Sequence, residues 1–153
     1  MQQEMKKSIT ILMADDDEDD RMMAREALKE ARLLNDLRFV VDGEELMDYL
    51  HRRNKYTNPD DSPRPGLILL DLNMPRKDGR DALMEIKREA ELRQIPIVVL
   101  TTSKAEEDIF RTYDLGVNSF IVKPVSFKAL VDVMSTLIKY WFEIVELPLK
   151  EQR

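Results

Sequence analysis

The sequence contains no cysteine and a single histidine, His51, among 153 residues. The absence of thiols excludes a disulfide framework, a cysteine-based zinc site, an iron–sulfur cluster and a cysteine nucleophile. One imidazole excludes a metal site built from several histidines. The chain is 43% hydrophobic and 35% charged. This composition can form a folded core, and the length predicts one domain.

Long apolar runs are also absent. The longest stretch without a charged side chain is the ten residues from Gln94 to Ser103, whereas a membrane span needs roughly 20 apolar residues. Residues 1–10 lack the apolar core of a signal peptide, so the sequence predicts a cytoplasmic protein with no membrane segment. The net charge of −6 argues against direct DNA binding, because phosphate contacts require an excess of Lys and Arg.

Short apolar segments alternate with amphipathic ones along the chain. The apolar segments predict strands at 8–14, 37–41, 66–70, 97–100 and 119–122. The amphipathic segments predict helices from Asp19 or Asp20 to 34, then at 44–53, 80–94, 105–115 and 126–147. Five repeats of strand and helix predict one α/β domain, with a parallel sheet covered by helices on both faces. Its predicted bounds are 8–147, between tails at 1–7 and 148–153.

The residues that directly follow the predicted strands are acidic, hydroxylic or basic. Asp15 to Asp20 follow the first strand, Asp71 the third, Thr101 to Ser103 the fourth and Lys123 the fifth. In a parallel sheet of this kind, ligands bind at the carboxyl ends of the strands. Carboxylates clustered there repel one another by roughly 4 kcal/mol per pair at 4 Å. We therefore expect a cation, and oxygen ligands with room for water favour Mg²⁺.

The same group of side chains predicts a reaction. A carboxylate next to Mg²⁺ and an ammonium group can attack phosphorus, because the two cations neutralise the phosphoryl oxygens while a hydroxyl donates to one of them. The strand ends therefore predict a phosphoryl-transfer site whose product is an aspartyl phosphate.

Four segments carry a resemblance to a known family. The segments ILMADDDEDDR (11–21), LILLDLNMPRKDG (67–79), IPIVVLTTS (95–103) and FIVKP (120–124) resemble the receiver domain of two-component response regulators. The resemblance runs from Ser8 to about Leu137 and includes four motifs in the family's order. It implies a flavodoxin-like, doubly wound sheet of five parallel strands in the order 2-1-3-4-5.

The resemblance also implies a role for each matched side chain. Asp71 matches the phosphoacceptor, Lys123 the lysine that pairs with the phosphoryl group, and Thr101 the switch hydroxyl. Phe120 matches the switch aromatic, although an aromatic residue on a strand is also ordinary packing. A cis peptide bond between Lys123 and Pro124 is implied as well.

The metal site implied by the family is a Mg²⁺ site. Its ligands are the carboxylates of Asp15, Asp16 and Asp71 and the backbone carbonyl of Asn73. Asp16 is implied to be a direct ligand, and Asp15 to act through water. Asp19 and Asp20 are expected instead to be a solvated helix start, where carboxylates are favourable.

The segment 52–66, with its three prolines, and the tail YWFEIVELPL look like those of stand-alone response regulators paired with phytochromes. This implies a sensor histidine kinase of the phytochrome type as the phosphoryl donor. Too few residues follow the receiver for an output domain, so we expect the effect to pass to an unknown downstream protein. We expect no enzyme acting on a separate substrate, only a phosphoacceptor that catalyses its own phosphotransfer and dephosphorylation.

The last predicted helix is apolar on more than one face. A helix on a sheet needs one apolar face, so the remaining apolar surface must be buried elsewhere. Either the C-terminal tail folds back over its own domain, or the helix pairs with a second chain as a homodimer. We favour the homodimer, and its predicted interface residues are Phe127, Val131, Met134, Ile138, Trp141 and Val145.

A calcium loop is an alternative interpretation of the acidic segment. Asp15, Asp17, Asp19 and Glu26 fit loop positions 1, 3, 5 and 12. However, Asp20 stands at position 6, where the loop needs glycine, and a strand precedes the loop where a helix is required. The calcium interpretation is therefore disfavoured.

The sequence disfavours two further function classes. Haloacid dehalogenase-like phosphatases also use an aspartate at a strand end, but they need a second aspartate two residues later, and Asn73 cannot carry a proton. The other class is a pseudo-receiver that acts as an interaction scaffold without phosphorylation. A degenerate receiver is expected to lack at least one of Asp16, Asp71, Thr101 and Lys123, and all four are present.

Overall fold

The computed structural model describes residues 9–30 and 35–141. Its strands are Thr10–Ala14 (β1), Asp36–Val40 (β2), Leu67–Leu70 (β3), Ile97–Thr101 (β4) and Ser119–Val122 (β5). Its helices are Glu18–Glu30 (α1), Gly43–His51 (α2), Gly79–Arg88 (α3), Glu106–Leu115 (α4) and Phe127–Lys139 (α5). The predicted alternation of strands and helices is confirmed, including the bounds of β5.

The five strands form one parallel sheet in the order β2-β1-β3-β4-β5. Ile11 of β1 lies opposite Leu37 of β2 on one side and Leu67 of β3 on the other. This is the predicted flavodoxin-like order. β1 and β3 are neighbouring interior strands, and an aspartate follows each of them.

Alternate residues of the strands enter two different cores. Leu12, Ile68 and Val99 pack with α2 and α3 on one face of the sheet. Ile11 and Val98 pack with α1 and α5 on the other. Because successive side chains of a strand point to opposite faces, strands buried on both faces read as continuous apolar runs in the sequence.

The start of α1 and the end of α3 differ from the predictions. Asp17, rather than Asp19 or Asp20, caps α1: its Oδ1 accepts the backbone N–H groups of both of those residues. α3 ends at Arg88, six residues before the predicted end at 94. Residues 89–95 form turns that bury Leu92 in the core. A turn that buries an apolar side chain mimics the helical pattern, which is why the sequence overextended α3.

The proline-rich segment 52–66 is more ordered than a solvated loop. It contains two short 3₁₀ helices, Asn54–Tyr56 and Pro59–Asp61. Tyr49 donates its hydroxyl to the carbonyl of Pro63 at 2.6 Å, and Arg64 donates to the carbonyl of Leu50 at 2.8 Å. These hydrogen bonds fasten the segment to α2.

The predicted interface on the last helix is largely wrong. Val131, Met134, Ile138 and Trp141 are buried in the core between α5, α1 and the sheet. Alanines at positions 24 and 27 of α1 allow α5 to pack closely, so this surface is covered within one chain. Phe127 is 54% exposed and remains available. Val145 lies outside the described residues.

The peptide bond before Pro124 and the apolar character of the helices were both predicted from the sequence. The described residues contain no cis peptide bond, so the cis Lys123–Pro124 bond is not found. The trans form is the lower-energy state of an X–Pro bond by about 0.5–1 kcal/mol. Across residues 9–30 and 35–141, none of the helices has the length and apolar character needed to cross a bilayer.

Candidate functional site

The sheet holds the chain at the predicted site beyond the ends of the strands. The N–H of Asp15 donates to the carbonyl of Val40, and that of Asp71 donates to the carbonyl of Ala14, both at 3.0 Å. The N–H of Lys123 donates to the carbonyl of Thr101 at 2.8 Å. The parallel ladder thus continues past the strands and fixes the backbone from which the polar side chains project.

Gly79 brings the start of α3 against this region. A Cβ atom at Gly79 would lie 2.4 Å from the carbonyl oxygen of Asp71 and 2.7 Å from Cα of Leu72. The Gly79 N–H donates to the carbonyl of Leu72 at 3.0 Å. Only a residue without a side chain permits this approach, which braces the segment that carries Asp71.

Three carboxylates meet at the ends of the neighbouring strands β1 and β3. Asp15, Asp16 and Asp71 each offer an oxygen atom, and these atoms lie within 4.8 Å of one another. Asp15 is 1% exposed and Asp71 is 5% exposed, whereas Asp16 is exposed to solvent. The predicted acidic group is therefore assembled, with one side open to solvent.

Lys123 provides the positive charge of the site. Its Nζ lies 2.7 Å from Oδ2 of Asp15, 2.6 Å from Oδ2 of Asp20 and 3.4 Å from Oδ2 of Asp71. Burial on its own disfavours the ammonium form. Hydrogen bonds to Asp15 and Asp20 and the charge of Asp71 outweigh that effect and raise the pKa of Lys123. The lysine is thus held as a buried ammonium group directed at the carboxylates.

Asp15 is the most deeply buried of the three carboxylates. Burial raises the pKa of Asp15 to about 6, and the Lys123 ammonium and the Asp17 N–H offset only part of that rise. Oδ2 of Asp15 is buried, and its charged neighbour is Nζ of Lys123 at 2.7 Å. Three carboxylates beside a single ammonium group retain an excess of negative charge, which suits a hard divalent cation.

The two carboxylate oxygens of Asp71 contact different groups. Thr101, which is fully buried, donates its hydroxyl to Oδ1 at 2.8 Å. The N–H of Asn73 donates to the same oxygen at 3.2 Å. Oδ2 faces Lys123. The carboxylate of Asp71 is therefore fixed in orientation between a hydroxyl and an ammonium group.

Phe120 lies on β5, the strand that Lys123 follows. Its side chain is partly buried and packs against the core on the α2 and α3 side of the sheet. Its N–H is 3.1 Å from the hydroxyl oxygen of Tyr113 on α4. The packing interpretation of Phe120 is confirmed, and its role as a switch stays a prediction.

Sequence reasoning missed Asp20 and Asp108. Asp20 was expected to be a solvated carboxylate at the start of α1, but its side chain is only 15% exposed and contacts Lys123. Asp108, in the first turn of α4, is buried and binds the guanidinium of Arg80. Arg80 itself was the available signal, because an arginine in the first turn of a helix is unfavourable without a specific partner.

The calcium-loop alternative does not fit the geometry. Oδ1 of Asp17 is used as a helix cap, accepting the N–H of Asp19 at 2.9 Å. Oδ2 of Asp15 instead contacts Nζ of Lys123, which follows β5. The carboxylates at the first and third loop positions therefore have different partners and do not surround a common centre.

Residues 11–135 match the family model described as the response regulator receiver domain. The chain is 41% identical over 138 residues to response regulator Rcp1 of Synechocystis sp., covering 90% of this chain and 92% of that protein.

Two solved structures are similar along nearly their whole length. One is the phosphorylated cyanobacterial phytochrome response regulator RcpA, with a TM-score of 0.87. The other is the Mn²⁺-bound form of Rcp1, with a TM-score of 0.85. Each is 40% identical to this chain and is matched over 92% of this chain and 99% of its own.

Proposed function

The chain belongs to the response regulator receiver domain family, which consists of signalling proteins, and on that basis we propose that Asp71 is its phosphoacceptor. The phosphoryl group comes from a phosphohistidine of a sensor histidine kinase. The observation that carries this proposal is the position of the Asp71 carboxylate between the Thr101 hydroxyl and the Lys123 ammonium group. A carboxylate held in this way has a hydroxyl on one side and an ammonium group on the other, and each can bind an oxygen of an incoming phosphoryl group.

The acidic group is the proposed metal site. Asp15, Asp16 and Asp71, with the backbone carbonyl of Asn73, are assigned as the residues that hold a divalent cation, and Mg²⁺ is the proposed physiological ion. When bound, Mg²⁺ supplies positive charge that neutralises phosphoryl oxygens. The short separation of the three carboxylates, which lie beside a single ammonium group, supports this assignment.

The proposed transfer is an in-line displacement at phosphorus. An oxygen of Asp71 forms a bond to phosphorus while the bond between phosphorus and the histidine ring nitrogen breaks. The electron pair of that bond stays on the nitrogen, which takes a proton from solvent. Lys123 and Thr101 bind the phosphoryl oxygens of the resulting aspartyl phosphate. Hydrolysis follows when a water oxygen attacks phosphorus, which releases inorganic phosphate and restores the carboxylate.

The named relatives indicate which class of sensor kinase donates the phosphoryl group. Rcp1 and RcpA match this chain over almost its full length, and RcpA is described as a phytochrome response regulator. We therefore assign a kinase of the phytochrome type as the donor. The domain bounds at 8 and 147, the cytoplasmic location and the unknown downstream protein stay predictions.

A homodimer is the proposed assembly, through a surface different from the one first predicted. Phe110 and Tyr113 on α4 and Val125 and Phe127 at the start of α5 are exposed apolar side chains. We assign these four residues, called here the α4–α5 patch, as the contact with a second copy of the chain. The N–H of Phe120 donates to the hydroxyl of Tyr113, which links the patch to β5.

Intact mass spectrometry tests the phosphoacceptor. The chain is incubated with acetyl phosphate, with and without MgCl₂. We expect a single phosphate adduct that requires MgCl₂ and is absent from Asp71→Asn. An adduct that persists in Asp71→Asn would overturn the assignment. Failure of the unaltered chain to form any adduct would favour the alternative function, a phosphorylation-independent scaffold.

A further inference from the structure

Arg80 occupies a position that is unfavourable for a cation. It lies in the first turn of α3, where the helix dipole is positive. Its guanidinium makes two parallel bonds to Asp108 in the first turn of α4: Nε to Oδ1 at 2.7 Å and Nη2 to Oδ2 at 2.6 Å. Bidentate pairs of this kind are the strongest and most directional side-chain contacts. The pair fixes the start of α3 relative to the start of α4.

The Asp108 carboxylate extends this contact towards Thr101. Ser103 donates its hydroxyl to Oδ2 of Asp108 at 2.6 Å. The N–H of Ser103 donates to Oγ1 of Thr101 at 3.4 Å. The Thr101 hydroxyl in turn donates to Asp71. A continuous series of contacts therefore leads from the Arg80–Asp108 ion pair to the phosphoacceptor along the segment between β4 and α4.

Arg80 also reaches the site from the other side. Its Nη2 lies 3.5 Å from Oδ1 of Asn73, and the N–H of Asn73 donates to Oδ1 of Asp71 at 3.2 Å. The contacts thus close into a ring. In order around this ring, its members are Asp71, Thr101, Ser103, Asp108, Arg80 and Asn73.

We propose that Arg80 and Asp108 are positioning residues for phosphoryl transfer, holding the Thr101 hydroxyl towards Asp71 through Ser103. This rests on the proposed function, because it assigns these residues to the same site. Neither residue touches the reacting atoms. Their effect comes from restricting the Thr101 side chain to one rotamer and the 101–105 segment to one path. The hydroxyl then meets the phosphoryl oxygen without prior reorganisation.

A purely structural role for the pair makes a different prediction. If the pair only joined α3 to α4, its loss would lower the stability of the fold without changing the orientation of Thr101 in the folded protein. The rotamer of Thr101 therefore distinguishes the two roles. It is measured by NMR as the three-bond couplings from the Thr101 methyl carbon to the backbone nitrogen and carbonyl carbon.

The main variant is Asp108→Asn, with Glu107→Gln as its matched control. Both substitutions remove one negative charge from the first turn of α4, but Glu107 is exposed. We expect several Thr101 rotamers to be populated in Asp108→Asn, so that the measured couplings take averaged values. We also expect phosphorylation by acetyl phosphate to be about tenfold slower, which corresponds to a rise of 1.4 kcal/mol in the activation free energy. Mg²⁺ affinity, measured by NMR titration, should be unchanged because no proposed ligand is altered. Glu107→Gln should match the unaltered chain in all three measurements.

Several results would overturn the proposal. Unchanged Thr101 couplings in Asp108→Asn, an equal slowing by Glu107→Gln, or a parallel loss of Mg²⁺ affinity would each do so. If Asp108→Asn does not fold, Ser103→Ala tests the same connection by removing only a hydroxyl. If the unaltered chain takes up no phosphate, the proposed function fails. The coupling measurement still decides whether the ring orients Thr101.

Discussion

Nζ of Lys123 lies 2.7 Å from Oδ2 of Asp15, and both side chains are more than nine-tenths buried. This pair joins the end of β5 to the end of β1, two strands that are not neighbours in the sheet. A buried charge is tolerated only with a partner. The lysine thus balances three aspartates that repel one another, and the site depends on this balance.

Replacing Lys123 with a neutral side chain should therefore destabilise the fold, because the aspartates then repel one another without compensation. We expect Lys123→Met to lower the free energy of unfolding at neutral pH by about 3 kcal/mol, since removing one member of a buried ion pair leaves the other without compensation. MgCl₂ should recover part of the loss by supplying a positive charge. Urea unfolding with and without MgCl₂ measures both effects. Lys139→Met, at an exposed position of α5, is the control and should change stability by less than about 0.5 kcal/mol.

The Asp108–Arg80 pair should make stability depend on acidic pH. Hydrogen bonds from Arg80, opposed in part by burial and aided by Ser103, lower the pKa of Asp108 from 3.8 to about 2. A lowered carboxylate pKa contributes stability that is fully present above the unfolded value and is lost as the pH falls through the folded value. The contribution is about 2 kcal/mol at 1.36 kcal/mol per pKa unit.

Urea unfolding at a series of pH values tests this dependence. At pH 6 we expect the chain to be more stable than Asp108→Asn by about 2 kcal/mol. The difference should shrink below about pH 4, be small near pH 2, where Asp108 is half protonated in the folded protein, and vanish only at still lower pH. A difference that stays constant over this range would contradict the lowered pKa.

Gly79 should not accept a side chain. In Gly79→Ala, the new Cβ atom would collide with the carbonyl of Asp71. We expect a loss of about 1–3 kcal/mol, the usual cost of overpacking, and slower phosphorylation because the Asp71 segment is displaced. Thermal unfolding and the acetyl phosphate assay measure the two effects. Asp81→Ala, an exposed position in the same turn, should leave phosphorylation unchanged. Equal behaviour of the two variants would count against the close approach.

The α4–α5 patch should control self-association. Phe110 is 76% exposed, and an aromatic side chain at the centre of an interface can contribute 2 kcal/mol or more, roughly a 30-fold change in dissociation constant. We expect Phe110→Ser to weaken the dimer by about that factor in sedimentation equilibrium. Met22→Ser removes a similarly exposed apolar side chain from α1 and should have no effect. A monomer at every concentration of the unaltered chain would remove the dimer proposal.

Much of the site was predictable because of how parallel sheets are built. Asp71, Thr101 and Lys123 each follow an apolar run long enough for a buried strand, and the strand ends of a parallel sheet lie along one edge. The convergence of these residues therefore required only the correct strand order. The separations that define the site, such as the 2.8 Å between Thr101 and Asp71, come from the structure.

Other features could not be predicted from local pattern. The apolar residues of α5 suit a second chain as well as the protein's own core, and the small residues of α1 on the same face of the sheet decide in favour of the core. Asp20 has the sequence context of an ordinary helix start, and only the arrival of Lys123 from β5, 103 residues later, makes it part of the site.

Local patterns in the sequence are enough to predict the order of the strands and helices and the chemical groups that follow each strand, since apolar periodicity and turn residues act over a few positions. Which charged side chains meet depends instead on how the elements pack together. The pairing of Arg80 with Asp108 depends on the packing of α3 against α4, and contacts between residues far apart in the chain are set by the shape of the whole core.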